Sequence, residues 1–119
     1  MANDFKRICT PNVSASSNST IYAVPAGASS AALESIVIGI TMANKTSSGI
    51  TASIFIDNED GSNDVYIVKD ASIPAGASLE VMSGNKLVLQ NDGTNGDNLE
   101  ALASAANSLD VTVSVLEDV

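Results

Sequence analysis

The sequence predicts an all-β fold, a single antiparallel β-sandwich of the jelly-roll kind with about eight strands. Short apolar runs that alternate with period two recur along the 119 residues, and turn-forming residues separate them. Hydrophobic residues make up 45% of the chain but aromatic residues only 3%, so the core must consist of Ile, Val, Leu and Ala. Such side chains suit the thin interior between two packed sheets.

The predicted strands follow the alternating runs in chain order. They lie at residues 5–9, 21–24, 33–43, 50–56, 65–69, 79–82, 87–89, 99–106 and 109–116. Along 33–43, the even-numbered residues from Ile36 to Met42 are predicted to share one face. Residues 99–106 have the Ala and Leu content of a helix, but turn signals on both sides favour a strand. Three hairpins are predicted from the short turns between runs: 33–43 with 50–56, 79–82 with 87–89, and 99–106 with 109–116.

One turn motif occurs twice, as VPAGAS at 24–29 and IPAGAS at 73–78. Proline has the fixed φ that suits the second position of a type I turn, and Gly two residues later suits the fourth. Each copy is therefore predicted to end one strand and direct the next. The repetition fits either internal duplication or turn chemistry that arose twice.

Length and charge restrict the possible functions. The chain is predicted to form one domain over residues 1–119, with residues 1–12 as a candidate N-terminal docking arm. Fourteen acids against five bases give a net charge of -9, which disfavours nucleic acid and anionic membranes as partners. The first residues lack the apolar core of a signal peptide and no apolar run is long enough to span a bilayer, so we expect synthesis in a cytoplasm without export by the usual route.

The residue types argue against an enzyme. The chain has no His and no G-x-S-x-G motif, and Cys9 is the only cysteine, which also excludes an internal disulfide and a zinc cluster. We therefore predict no catalytic residues and no cofactor. The candidate metal site is an acidic loop containing Gly, in which Asp57, Glu59, Asp60 and Asp64 could bind Ca²⁺. The spacing of these acidic residues does not match the calcium-binding loop of a helix–loop–helix (EF-hand) site. The alternative is a solvated hairpin tip that keeps sheet edges apart by charge.

Several segments resemble small virion structural proteins of tailed bacteriophages, and most closely those of marine T4-like phages that infect cyanobacteria. The matching segments are MANDFKR at 1–7, TIYAVP at 20–25, VYIVK at 65–69, IPAG at 73–76, LEVMSGNKLVLQ at 79–90 and ANSLDV at 106–111. The resemblance implies a β-sandwich component of the particle with no enzymatic activity. It leaves the position open among head surface, neck, tail and fibre base.

The charge favours the outside of the particle, because a protein of charge -9 beside packed DNA would concentrate like charge. We therefore expect a decoration protein that binds the major capsid protein or other virion proteins, stabilises the shell and forms a homo-oligomer, with a trimer among the options. The predicted contact residues are Phe5, Lys6, Arg7 and Ile8, which combine apolar surface with local positive charge. The alternative for them is an ordinary edge strand.

Two other functions stay open. The protein could belong to the neck, tail or fibre, where the copy number would be much lower than on the shell. It could also be a lectin-like module, because jelly rolls commonly present loops to sugars, although the low aromatic content disfavours sugar stacking.

Overall fold

A computed structural model describes residues 3–57, 64–82 and 86–118. Within these residues the chain forms nine strands and one 3₁₀ turn at Ala28–Ser30, and the all-β prediction is confirmed. The strands are β1 (Asn3–Thr10), β2 (Ser19–Ala23), β3 (Leu33–Asn44), β4 (Ile50–Asp57), β5 (Asp64–Ile73), β6 (Ser78–Glu80), β7 (Leu87–Asn91), β8 (Asn98–Ala103) and β9 (Leu109–Asp118). Across these ranges, no helix has the length and apolar character needed to cross a membrane.

The strands form two antiparallel sheets with the strand order of a jelly roll. The first sheet has the order β1-β9-β3-β6, with β7 also paired to β3, and the second has the order β2-β8-β4-β5. β6 and β7 pair with opposite ends of β3, where Leu79 faces Met42 and Val88 faces Ile36, and so form one interrupted edge strand. Counted this way the described residues form eight strand positions in two sheets, which agrees with the predicted count of about eight strands.

The three predicted hairpins are wrong. β3 pairs with β9, β6 and β7 in the first sheet, whereas β4 pairs with β5 and β8 in the second. Likewise β6 and β7 lie end to end along β3, and β8 and β9 belong to different sheets. β3 and β4, like β8 and β9, instead bury their apolar faces against one another across the sandwich. β6 and β7 do not pair because each forms its hydrogen bonds with β3. The strand predicted at 99–106 is confirmed as Asn98–Ala103.

A register shift in β3 reverses which residues face the core. The pairing with β9 skips one residue between Val37 and Gly39. Before the shift Val37 is buried, and after it Ile40 is buried, so the inward positions change from odd to even numbers. The prediction that Ile36 and Ile38 share a face with Ile40 is therefore wrong, because a bulge inserts one extra residue into the strand.

The two copies of the Pro-Ala-Gly motif adopt different conformations. In the second, the N–H of Ala77 donates to the carbonyl of Pro74 at 3.1 Å, and Gly76 has φ +68°. Proline is thus at the first turn position and Gly at the third, which favours glycine because φ is positive. In the first copy Gly27 has φ -72° and leads into the 3₁₀ turn. The predicted type I turns are wrong, although the second copy does connect β5 to β6.

The core lies between the sheets and consists almost wholly of aliphatic side chains. Its fully buried large members include Ile21, Ile40, Ile54, Leu89 and Leu99. Tyr22 is the one aromatic residue in this cluster among the described residues. The sandwich is therefore held by many small apolar contacts, as its composition indicated.

Candidate functional site: an apolar row on the outer face of the first sheet

β1 is an edge strand of the first sheet, and it divides the four predicted contact residues between two faces. Its register with β9 is unbroken and places Lys6 opposite Val115 and Ile8 opposite Val113, both partners being fully buried. Lys6 and Ile8 therefore face the interior side of the sandwich, whereas Phe5 and Arg7 face outward.

Four apolar side chains form a continuous row across the outer face of the first sheet. Phe5 lies opposite Leu116, Leu116 lies opposite Ile36, and Ile36 lies opposite Val88. Phe5 is 74% exposed and Val88 54% exposed, while Leu116 and Ile36 are half-buried by their neighbours. Ile38, at the register shift, is also exposed. We call Phe5, Leu116, Ile36 and Val88 the outer apolar row.

Polar residues flank the outer apolar row on the same face. On one side Glu34 of β3 lies opposite Gln90 of β7, and both are exposed. On the other side Arg7 lies opposite Ser114. The outward face of an antiparallel sheet is ordinarily polar, so an apolar row with a polar rim is typical of a contact surface.

On the outer face of the second sheet, neighbouring side chains of the same sheet cover Phe55. Phe55 is only 3% exposed, and its ring centroid lies 5.2 Å from that of Tyr66. The ammonium of Lys69 lies 5.0 Å from the Tyr66 ring centroid, in the range of a cation–π contact. Thr20 donates a hydrogen bond of 2.5 Å to Glu100, which is also buried on this face. Phe5 on the first sheet has no comparable cover.

Beneath the row, on the inner side of the first sheet, a polar network connects the two sheets. Glu117 is 2% exposed, accepts a hydrogen bond of 2.5 Å from the Tyr22 hydroxyl, and lies 3.0 Å from the Lys6 ammonium. Ser35 lies 2.7 Å from the Tyr22 oxygen and donates to it, since the tyrosine proton is given to Glu117. The network joins β2 of the second sheet to β9 and β3 of the first.

Two pKa values in the network are raised. Burial raises the pKa of Tyr22, and the hydrogen bond to Glu117 raises it further. The hydrogen bond with Glu117 and its negative charge raise the pKa of Lys6. Both groups therefore keep their protons at neutral pH, so that Tyr22 acts as a hydrogen-bond donor and not as a base.

An open cleft of about 410 Å³ lies between β1 and β2, where the edges of the two sheets face each other. Its lining includes Lys6, Ile8, Thr20, Ile21, Tyr22 and Glu117. Ala23 and Pro25 complete the lining, and most of the cleft surface is apolar although Lys6, Tyr22 and Glu117 of the polar network also line it. The cleft lies here because β1 belongs to the first sheet and β2 to the second, so the two strands do not pair.

The candidate calcium loop lies largely outside the described residues. Asp57 and Asp64 face each other at the base of the β4–β5 hairpin. Glu59 and Asp60 lie outside the described residues, so this candidate stays a prediction. Across 3–57, 64–82 and 86–118, no group of three or more His, Cys, Asp or Glu side chains is placed to hold a metal ion.

The sequence indicated one member of the outer apolar row, Phe5, but missed the other three. Leu116, Ile36 and Val88 lie on strands far apart in the chain, and only the cross-strand register brings them together. The available signal was that Val88 and Leu116 each occupy the outward position of an alternating strand. The bulge in β3 concealed the outward position of Ile36.

No family model and no curated protein matches the chain. Three solved structures are similar in shape. A chain of Bacillus endospore appendages, which form disulfide-linked pili, has a TM-score of 0.43 and 16% identity over 97% of this chain and 86% of its own. A chain of infectious bursal disease virus, Gx strain, has a TM-score of 0.44 and 14% identity over 96% of this chain and 29% of its own. The STIV MCP has a TM-score of 0.29 and 14% identity over 93% of this chain and 48% of its own. Identities and TM-scores this low do not indicate a shared function.

Proposed function

We propose that this chain is a non-enzymatic structural protein of a phage virion, and that it decorates the outer surface of the capsid through the outer apolar row. The observation that carries the proposal is the row itself, in which Phe5 and Val88 expose apolar surface at opposite edges of one sheet. Exposed aromatic residues flanked by apolar neighbours and a polar rim are the usual centres of protein interfaces.

The size of the row agrees with docking on a larger protein. Four strands separated by about 4.8 Å give a row about 15 Å long, which is the centre and not the whole of a standard interface. A weak contact of this size becomes effective when it is repeated at many equivalent sites on a shell. The net charge of -9 supports an outer position, because it keeps particles apart and opposes contact with packed DNA.

The resemblance to small virion proteins of marine T4-like phages supports the choice of a particle over other assemblies. In this proposal the partners are the major capsid protein or a neighbouring virion protein, and further copies of the chain in a symmetric cluster. The mechanism is mechanical, because each copy bridges shell subunits and opposes the outward pressure of the packed genome.

Particle occupancy of surface variants tests the proposal. Phe5→Ser and Val88→Ser should each reduce the number of bound copies at least about tenfold, because each removes an exposed apolar anchor. The matched control is Val65→Ser, which removes an equally exposed Val, at 51%, from β5 of the second sheet. Unchanged occupancy for folded Phe5→Ser and Val88→Ser proteins would remove the row from the proposal.

Copy number separates the shell from the alternative positions. Purified particles should hold on the order of hundreds of copies if the protein decorates the shell, and about six or twelve if it belongs to the neck, tail or fibre base. The count comes from quantitative mass spectrometry against the major capsid protein.

Substitution is preferable to deletion of residues 1–8 as a test of docking, because Ile8 packs against the core and the deletion would remove most of β1.

A further inference from the structure

Over residues 3–57, 64–82 and 86–118 the sandwich has four edge strands, and three of them are irregular. β2 has five residues and a register shift between Thr20 and Tyr22. β5 has two register shifts opposite β4, and its Asp70 has φ +51°. The remaining edge of the first sheet is broken between β6 and β7. Bulges, short lengths and interruptions of this kind protect sheet edges from pairing with other chains.

β1 lacks these features. It extends over eight residues, and its register with β9 is continuous from Asn3 to Thr10. In the part of the chain that the structure describes, no backbone hydrogen bond links β1 to anything other than β9. β1 therefore offers a long, regular row of main-chain donors and acceptors on its free side.

An inward-pointing lysine on an edge strand normally prevents pairing, because an incoming strand would bury its charge. Lys6 has this position, but its ammonium is already 3.0 Å from the buried carboxylate of Glu117. Its charge is compensated within the sandwich, so an incoming strand would not bury an unpaired cation.

The cleft beside β1 supplies a place for side chains of an added strand. It runs between β1 and β2, has a volume of about 410 Å³ and is lined by Ile8, Ile21 and Pro25 among others. Alternate side chains of a strand paired to β1 would point toward this cleft, and those between them would point outward beside Arg7. Arg7 has no ion pair among the described residues.

We propose that the free edge of β1 binds an extended segment of a partner protein by β-augmentation. The segment would carry apolar residues at alternate positions for the cleft and acidic residues between them for Arg7. A second copy of β1 fits less well. If two copies of β1 paired antiparallel over seven residues, the two-fold axis would pass beside Lys6 or beside Arg7. That residue would then lie opposite its own copy, so two like charges would face each other.

Peptide binding to the full chain tests this inference. The probes are three blocked octapeptides: alternating Val and Glu, alternating Val and Lys, and the Val/Glu peptide with every backbone nitrogen methylated, which removes the N–H donors from both edges. The readout is the amide spectrum of the ¹⁵N-labelled protein during titration. The Val/Glu peptide should shift the amides of β1 and of cleft residues such as Ile21 in a saturable manner. It should bind about tenfold more tightly than the Val/Lys peptide, because only the former complements Arg7.

Two variants make the test specific. Arg7→Glu should reverse the preference between the charged peptides, whereas Lys86→Glu, the same charge change at an exposed residue outside β1, should leave it unchanged. Loss of binding on methylation supports pairing through the main chain. Equal binding of the methylated and unmethylated peptides, or no shifts in β1 at millimolar peptide, would overturn the inference.

The inference does not depend on docking to a shell. Val88 lies three strands from β1, so Val88→Ser should leave peptide binding within about twofold of the original value even where it removes the chain from particles. The two proposals can therefore fail separately.

Discussion

The hydroxyl of Tyr22 on β2 donates a hydrogen bond of 2.5 Å to the carboxylate of Glu117 on β9 and thereby joins the two sheets. The carboxylate is nearly inaccessible to solvent, and its second oxygen is held by Lys6 at 3.0 Å. A buried carboxylate is tolerated only when hydrogen bonds and an opposite charge compensate its lost hydration. The stability of this end of the sandwich therefore depends on Tyr22.

Tyr22→Phe should destabilise the protein by about 1–3 kcal/mol, because it leaves Glu117 and Ser35 buried with one partner fewer each. The measurement is urea unfolding followed by far-ultraviolet circular dichroism. Tyr66→Phe is the matched control, since Tyr66 is 46% exposed and should change stability by less than about 0.5 kcal/mol. Equal effects of the two substitutions would contradict the assigned role of Tyr22.

Stability should fall at alkaline pH, because the pKa of Tyr22 is raised in the folded protein. Below pH 10.0, the ordinary value for tyrosine, folded and unfolded chains both hold the proton and the contribution is constant. Above that value the unfolded chain loses the proton first, so rising pH favours unfolding until the folded pKa is passed. The raised pKa of Lys6 acts in the same direction above 10.5.

Urea midpoints at pH 8, 10 and 11 should therefore decline in the original protein and in Tyr66→Phe. The decline should be smaller in Tyr22→Phe, because the contribution of the Tyr22 hydroxyl is absent. A decline of the same size in Tyr22→Phe would assign the alkaline sensitivity to other groups.

Asp110 should contribute to stability at neutral pH and lose this contribution in acid. The hydrogen bond from Lys45 at 2.9 Å and the N–H of Asn12 lower its pKa from the ordinary value of 3.8. Its stabilisation is complete above 3.8 and disappears as pH falls through the lower folded value. Lys45 and Asp110 are about 40% exposed, so solvent screening limits the effect to about 0–1 kcal/mol.

Asp110→Asn should accordingly lower the urea midpoint slightly at pH 6 and flatten its decline between pH 4 and pH 2. Glu34→Gln is the control, because it removes the same charge from an exposed position on β3. If Glu34→Gln flattened the acid decline as much as Asp110→Asn, general charge repulsion would explain it better than the Lys45 pair.

Local sequence signals predicted the fold class and the positions of the strands, because period-two alternation requires only neighbouring residues. They failed for partners, as shown by β3 and β4, which adjoin in sequence but lie in opposite sheets. Which strands pair is decided by the shared core, where Ile40 on β3 and Ile54 on β4 belong to one cluster. No short window of sequence contains that information.

The outer apolar row was hidden for a related reason. The bulge in β3 changes the inward parity between Val37 and Ile40, and nothing in the run of Ile, Val and Gly signals where the extra residue lies. Glu117 illustrates the same limit for polar residues. It follows the regular alternation of β9, so it faces the core, and only the distant Tyr22 and Lys6 make this position tolerable.

Two glycines in turns should differ sharply in their tolerance of a side chain. Gly76 has φ +68° with nothing within 4 Å of the position of a Cβ atom, so Gly76→Ala carries only the conformational cost, about 1–2 kcal/mol. Gly93 has φ +101°, and a Cβ atom there would lie 2.2 Å from the carbonyl oxygen of Ser30, so Gly93→Ala must also displace backbone and should cost at least about 3 kcal/mol. Urea unfolding of both variants gives the comparison. Equal losses would mean that the loop around Gly93 does not pack against the 3₁₀ turn at Ala28–Ser30 as the structure describes.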